Sequence, residues 1–188
     1  MSSDSAIIWL TGMSGSGKRT LANLLMRRIE KNGRKVLIID GDSVRDGDDQ
    51  KLGFGIGDVR INNTRIASIC SNQRNEFDVV IVPVISPYEE VRIEIRTILE
   101  PNFHLVYLQA DIESLKHRDT KGLYSAADRG DINDLIGYSE INPYDEPNSP
   151  ELVISTANKV SLEESFSTLF DYVNKAIFNR QLSNIVYG

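Results

Sequence analysis

This sequence predicts an α/β fold, a five-stranded parallel sheet between layers of helices, and two observations carry the prediction. Five short runs dominated by apolar and β-branched residues (6–10, 35–39, 79–85, 105–108 and 152–154) alternate with longer stretches of helical periodicity. Strands that are apolar on both faces belong to parallel sheets covered on both sides, because a solvated face would show a polar residue at every second position. The second observation is Gly12-Met13-Ser14-Gly15-Ser16-Gly17-Lys18, which follows the first run and leads into Leu21, Leu24, Leu25 and Ile29 at helical spacing. Strand, glycine-rich loop and helix in that order match the phosphate-binding loop G-x-x-x-x-G-K-[ST], and the class becomes a P-loop NTPase three-layer fold. A Gly/Ser-rich turn with an incidental lysine would need neither the strand before it nor the helix after it.

Each element has a local reason. Gly33 closes the first helix, and residues 35–39 make the second strand. In the third, 79–85, Pro83 predicts that the strand is bulged or lies near an edge, since proline cannot donate to a ladder. The polar, proline-containing stretch 142–150 reads as an ordered crossing loop, and Ser161-Leu162-Glu163-Glu164 as a capping box that opens the C-terminal helix. No internal repeat is present, and the segment from Asn179 to Gly188 carries little information.

With 188 residues and 40% apolar content, one domain over 1–188 can bury a sizeable core, placed at residues 6–178. The net charge of −6 argues against a nucleic-acid scaffold, which needs a basic face. Small anionic ligands need only a local positive pocket. Cys70 is the only cysteine, so neither an intrachain disulfide nor a cysteine metal cluster can form. No basic leader precedes the first apolar run and no stretch approaches the length of a membrane span, so a cytoplasmic protein is expected.

Sites on such a sheet lie beyond the carboxyl ends of its strands. Gly12, Ser14, Gly15, Ser16, Gly17, Lys18, Arg19 and Thr20 are the candidate ATP contacts. Glycine lets backbone N–H groups wrap a phosphate, the helix N-terminus adds its positive end, and Lys18 supplies a point charge for the β/γ oxygens. Arg19 stands where the motif has a hydroxyl that reaches Mg²⁺, so one metal contact is missing. Thr20 lies about 100° further round the helix and cannot replace it without a shift. Asp40 and Asp42, at the end of the second strand, are candidates for holding Mg²⁺ or for accepting the proton of an attacking hydroxyl. Taken singly, Arg45, Arg92, Arg118 and Lys121 would read as surface salt-bridge partners. Together, in an acidic chain, they suit a site for two polyphosphate ligands.

The ordered set of phosphate loop, Asp40-Gly41-Asp42-x-Val44-Arg45, Leu52-Gly53-Phe54, Ile85-Ser86-Pro87-Tyr88-x-x-x-Arg92, Arg118-Asp119-x-Lys121-Gly122-Leu123-Tyr124 and Tyr144-x-x-Pro147 resembles the adenylylsulfate kinase family over residues 7–156. That family moves the γ-phosphoryl group of MgATP to the ribose 3′-hydroxyl of adenosine 5′-phosphosulfate (APS). The resemblance implies ATP and Mg²⁺ as cofactors, with Lys18 on the β/γ phosphates and Asp40 and Asp42 serving the metal and the hydroxyl. It places Arg118 against ATP and makes residues 117–145 a mobile lid. Arg45, Phe54, Asn62, Ile85, Ser86, Arg92, Lys121 and Leu123 would meet the acceptor, and Ser86 matches a serine once assigned as a phosphoenzyme intermediate. The implied partners are a small-molecule nucleotide acceptor and a second copy in a homodimer, with no nucleic acid and no membrane.

The departures fall on the acceptor side. The family's Asp-Arg-x-x-Asn reads Asp58-Val59 here, with Arg60 one place late and therefore about 100° round the helix. Its Phe-Thr-Gly reads Leu135-Ile136-Gly137, so one of two stacking aromatics is gone, worth about 1–3 kcal/mol. Three readings follow: an adenylylsulfate kinase, a relative acting on another nucleotide such as cytidine diphosphoramidate, or a degenerate nucleotide-binding module.

Overall fold

The structure, a computed structural model, describes residues 5–47 and 52–179. Its five strands are all parallel, in the order β2-β3-β1-β4-β5. β1 (Ala6–Thr11) is central, between β3 (Val79–Pro83) and β4 (Phe103–Gln109), while β2 (Val36–Ile38) and β5 (Leu152–Ser155) form the edges. The chain leaves β1 for one half of the sheet and later returns to the other. The crevice this opens at the carboxyl end of β1 is where such sheets bind ligands.

Alternation along β1 divides the core into two layers. Ala6, Ile8 and Leu10 face α1 (Lys18–Glu30) and α7 (Leu162–Val173), where Leu21, Leu25, Ile29, Leu169 and Val173 are buried. Ile7 and Trp9 face α3 (Ile56–Gln73) and α4 (Glu89–Leu99) through Ile66, Cys70, Val91 and Ile95. A strand with both faces covered has no solvated side, which is why the runs read as continuous apolar segments. α7 opens on the expected capping box: Ser161 accepts from the Glu164 N–H while Glu164 returns a bond to the Ser161 N–H.

Pro83 lies near an edge of the sheet, next to the edge strand β2. β3 is internal and unbulged, and Pro83 is its last residue, paired with Leu10. The Val79 N–H points to the β2 side and the Val84 N–H to Leu10, so the N–H that proline lacks would face the β2 side. There the pairing ends with Ile39, whose N–H donates to the Ile81 carbonyl, and Asp40 has turned away to cap α2 (Gly41–Asp46), so the missing donor falls at the end of the ladder.

Beyond β4, α5 (Ile112–Arg118) and α6 (Leu123–Asp128) carry a small core of Leu115, Tyr124 and Leu135 packed with Met13 of the phosphate loop. The Tyr124 hydroxyl donates to the Ser14 carbonyl at 2.8 Å, fastening this region to that loop. Among the described residues, no helix is long and apolar enough to cross a membrane.

Candidate active site

The phosphate loop is shaped by glycines at positive φ. Gly12 has φ 149°, and a Cβ there would sit 2.7 Å from both the Leu108 carbonyl and Ser16 Oγ. Gly17, at φ 91°, opens α1 without a side-chain cap, so the N–H groups of the first turn are left for an anion. Lys18 Nζ folds back onto the loop, donating to the carbonyls of Gly12 and Met13 at 2.7 and 2.8 Å. Burial of the ammonium among these neutral oxygens lowers its pKa to about 7, against the pull of Asp42 and Asp40.

Two ion pairs occupy the carboxylates at the end of β2. Arg19 reaches Asp40 Oδ2 through Nε and Nη2, both at 2.6 Å, and this bond raises the guanidinium's pKa. Asp40 also accepts the N–H groups of Asp42 and Ser43 as the N-cap of α2. Asp42 Oδ2 receives Lys121 Nζ at 2.9 Å. Burial would raise the Asp42 pKa, but the hydrogen bond and charge of Lys121 hold it below the usual carboxylate range. Both carboxylates expected to hold Mg²⁺ are therefore engaged by cations. Among the described residues, no group of three or more His, Cys, Asp or Glu is arranged for a metal.

Two clefts meet at the Asp42–Lys121 pair. The first, of 520 Å³, is floored by residues 14–20 and reaches Arg118 on one side and Thr156, Asn158 and Ser165 on the other. Arg118 donates Nε to the Ser114 carbonyl but leaves a buried Nη2 without a partner. Thr156, Asn158 and Ser165 were not among the sequence candidates; their signal was their place beyond the carboxyl end of β5. The second cleft, of 390 Å³, collects Arg45, Phe54, Asn62, Ile85, Ser86 and Leu123 from five separate segments. Asp42, Lys121, Ser14 and Ile85 line both.

In the second cleft Phe54 is 39% exposed and is braced by Arg45, whose guanidinium lies 4.8 Å from the ring centre and donates to the Gly53 carbonyl. Asn62 is buried, with Oδ1 unpartnered. Ser86 is buried at φ 45°, and its Oγ accepts from Asn63 Nδ2 at 2.7 Å. Val59 and Leu135 are both part of the wall, so the two acceptor-side departures do meet in one place.

Arg92 does not join them, which corrects its reading as an acceptor contact. It lines neither cleft, and its side chain is 1% exposed. The guanidinium is spent on the Ser86 and Asp145 carbonyls and the Glu89 carboxylate. It braces the Ser86 turn from behind. A lone arginine on an amphipathic helix reads as exposed; the hint was Tyr144, whose ring lies beneath it and whose hydroxyl meets Thr11 Oγ1 at 2.9 Å. Arg60, as its register requires, turns away from the cleft and bridges Glu90 and Glu94 of α4.

The model of the family described as adenylylsulphate kinase matches residues 4–155. This chain belongs to the adenylylsulfate kinase family. It is 41% identical to the adenylyl-sulfate kinase of Bacillus pumilus over 172 residues, 91% of this chain and 86% of that one. The adenylyl-sulfate kinase of Bacillus licheniformis is also 41% identical, over 90% of this chain and 85% of its own. Among solved structures, the Mycobacterium tuberculosis APS kinase in complex with AMPPNP and APS superposes with a TM-score of 0.81 at 30% identity, covering 91% of this chain and 98% of that one. The adenylylsulfate kinase fold thus accounts for the sheet order, the phosphate loop and the paired clefts together.

Proposed function

We propose that this protein transfers the γ-phosphoryl group of ATP to the ribose 3′-hydroxyl of APS. The observation that carries the reading is the meeting of two clefts at Asp42 and Lys121, one floored by a phosphate loop, in a chain of this family. ATP would lie along the first cleft, its phosphates on the N–H groups of residues 14–18 and on Lys18, with Arg118 supplying an unused donor. APS would enter the second, over Phe54 and beside Asn62 and Arg45.

In the transfer, the acceptor 3′-oxygen forms a bond to Pγ as the bond from Pγ to the β–γ bridging oxygen breaks, and ADP leaves. The hydroxyl proton passes to Asp42. A carboxylate held below its usual pKa is a weak base, which suits a loose transition state that demands little proton removal. Lys18 and Lys121 offset the charge on the transferring group. Ser86 is given no covalent part, since direct in-line transfer needs no phosphoenzyme. The donor set here does not fit a protein-built Mg²⁺ site, because Arg19 and Lys121 occupy Asp40 and Asp42. Region 117–145 would act as the lid, and the same reading carries one domain, a cytoplasmic location and a homodimer.

A second reading, a different acceptor nucleotide such as cytidine diphosphoramidate, is favoured by Val59 and Leu135 in the acceptor wall. Incubation with ATP and APS, followed by ³¹P NMR and mass analysis, tests the first. A new 3′-phosphate ester and stoichiometric ADP are expected; ATP left intact beside APS would overturn it.

A further inference from the structure

Arg19 gives the nucleotide cleft a cation where a phosphate-loop helix ordinarily offers a metal-ligand hydroxyl. Its guanidinium rests on Asp40 Oδ2 at 2.6 Å, yet 61% of the side chain stays exposed at the cleft. Asp40 is itself fixed, as the N-cap of α2. Asp42 is taken by Lys121. Mg²⁺ demands near-octahedral oxygen ligands and sheds water reluctantly, so a site with a guanidinium in place of the hydroxyl and both carboxylates paired offers it little. A polyphosphate has the opposite preference. Its oxygens are matched by a fork of guanidinium donors, and this fork lies one residue from Lys18.

We propose that Arg19 replaces the protein's contact with the metal by a direct contact with the nucleotide's phosphates, so that this chain binds ADP and ATP without needing Mg²⁺. The proposal rests on the nucleotide occupying the first cleft. Asp40 acts as the holder of Arg19 and as a brake on it, because the carboxylate competes with phosphate for the same donors. Arg19 is then a residue that lets free nucleotide bind as well as its metal complex.

Calorimetric titration of the intact protein with ADP, in EDTA and in excess Mg²⁺, is the test. The parent is expected to bind with affinities that differ by less than about threefold, and Arg19→Thr to lose about tenfold or more in EDTA while losing little in Mg²⁺. Asp40→Asn keeps a capping oxygen and removes the competing charge, so it should bind ADP more tightly in EDTA. A parent that loses about tenfold in EDTA, or an Arg19→Thr protein that matches the parent in both buffers, would overturn the proposal. Absence of ADP binding by the parent in either buffer would overturn the nucleotide reading with it.

Discussion

The two clefts are built in different ways. The first is made largely of backbone: positive-φ glycines, the open N-terminus of α1, and carbonyls that hold Lys18 in readiness. The second is made of side chains from separate segments, with Phe54, Val59 and Leu135 as its apolar walls. A phosphate group is met by generic N–H geometry, so its site is carried by spacing alone. An acceptor nucleotide is met by particular side chains, so its site changes with single substitutions while the fold stays the same.

The largest effect should come from breaking the first cleft at its charge. Lys18→Ala should lower kcat by about a thousandfold or more, because the ammonium stabilises charge that grows as the phosphoryl group leaves. A variant within tenfold of the parent would remove Lys18 from the chemistry. The same ammonium sets a pH dependence. Its pKa is lowered to about 7 in the free protein, and bound phosphates favour its charged form. Binding must therefore take up a proton above pH 7. Nucleotide affinity should be flat below pH 7 and weaken above it, by up to about tenfold per unit, with the uptake visible in calorimetry across buffers of different ionisation heat.

Arg92 sharpens the comparison from behind the acceptor wall. Arg92→Leu should cost about 3 kcal/mol of stability, since it strands the Ser86 and Asp145 carbonyls and the Glu89 carboxylate. Denaturant melts would show this, and an unchanged midpoint would mean that water satisfies those groups.

The smaller effect belongs to the acceptor wall. Val59→Arg with Leu135→Phe should add one phosphate contact and one stacking face, raising kcat/KM for APS by about tenfold, at roughly 1–3 kcal/mol each before losses. No gain would mean that Arg45 and Asn62 already suffice.

What could be read from the sequence follows the same division. The strands, the phosphate loop and the capping box depend on local pattern, and each lies where its pattern put it. β2 is shorter than its apolar run because Asp40 leaves the sheet to cap α2, a choice made by two backbone N–H groups that no periodicity records. Pro83 pointed to a place near the edge but not to its reason, because its tolerance depends on where the neighbouring strand stops. Arg92 misled because burial of its guanidinium requires, besides the nearby Ser86 and Glu89, the Asp145 carbonyl, which only the fold brings to it. Val59 and Leu135 were singled out by departure from a family pattern, and only the fold brings them to one wall.

The most direct measurement is kcat/KM with ATP for APS beside that for pyrimidine nucleotides, cytidine diphosphoramidate included, under one set of conditions. APS as the best acceptor, phosphorylated at its 3′-hydroxyl, is the expected result. A pyrimidine nucleotide preferred over APS, or no turnover with any acceptor despite ATP binding, would contradict it.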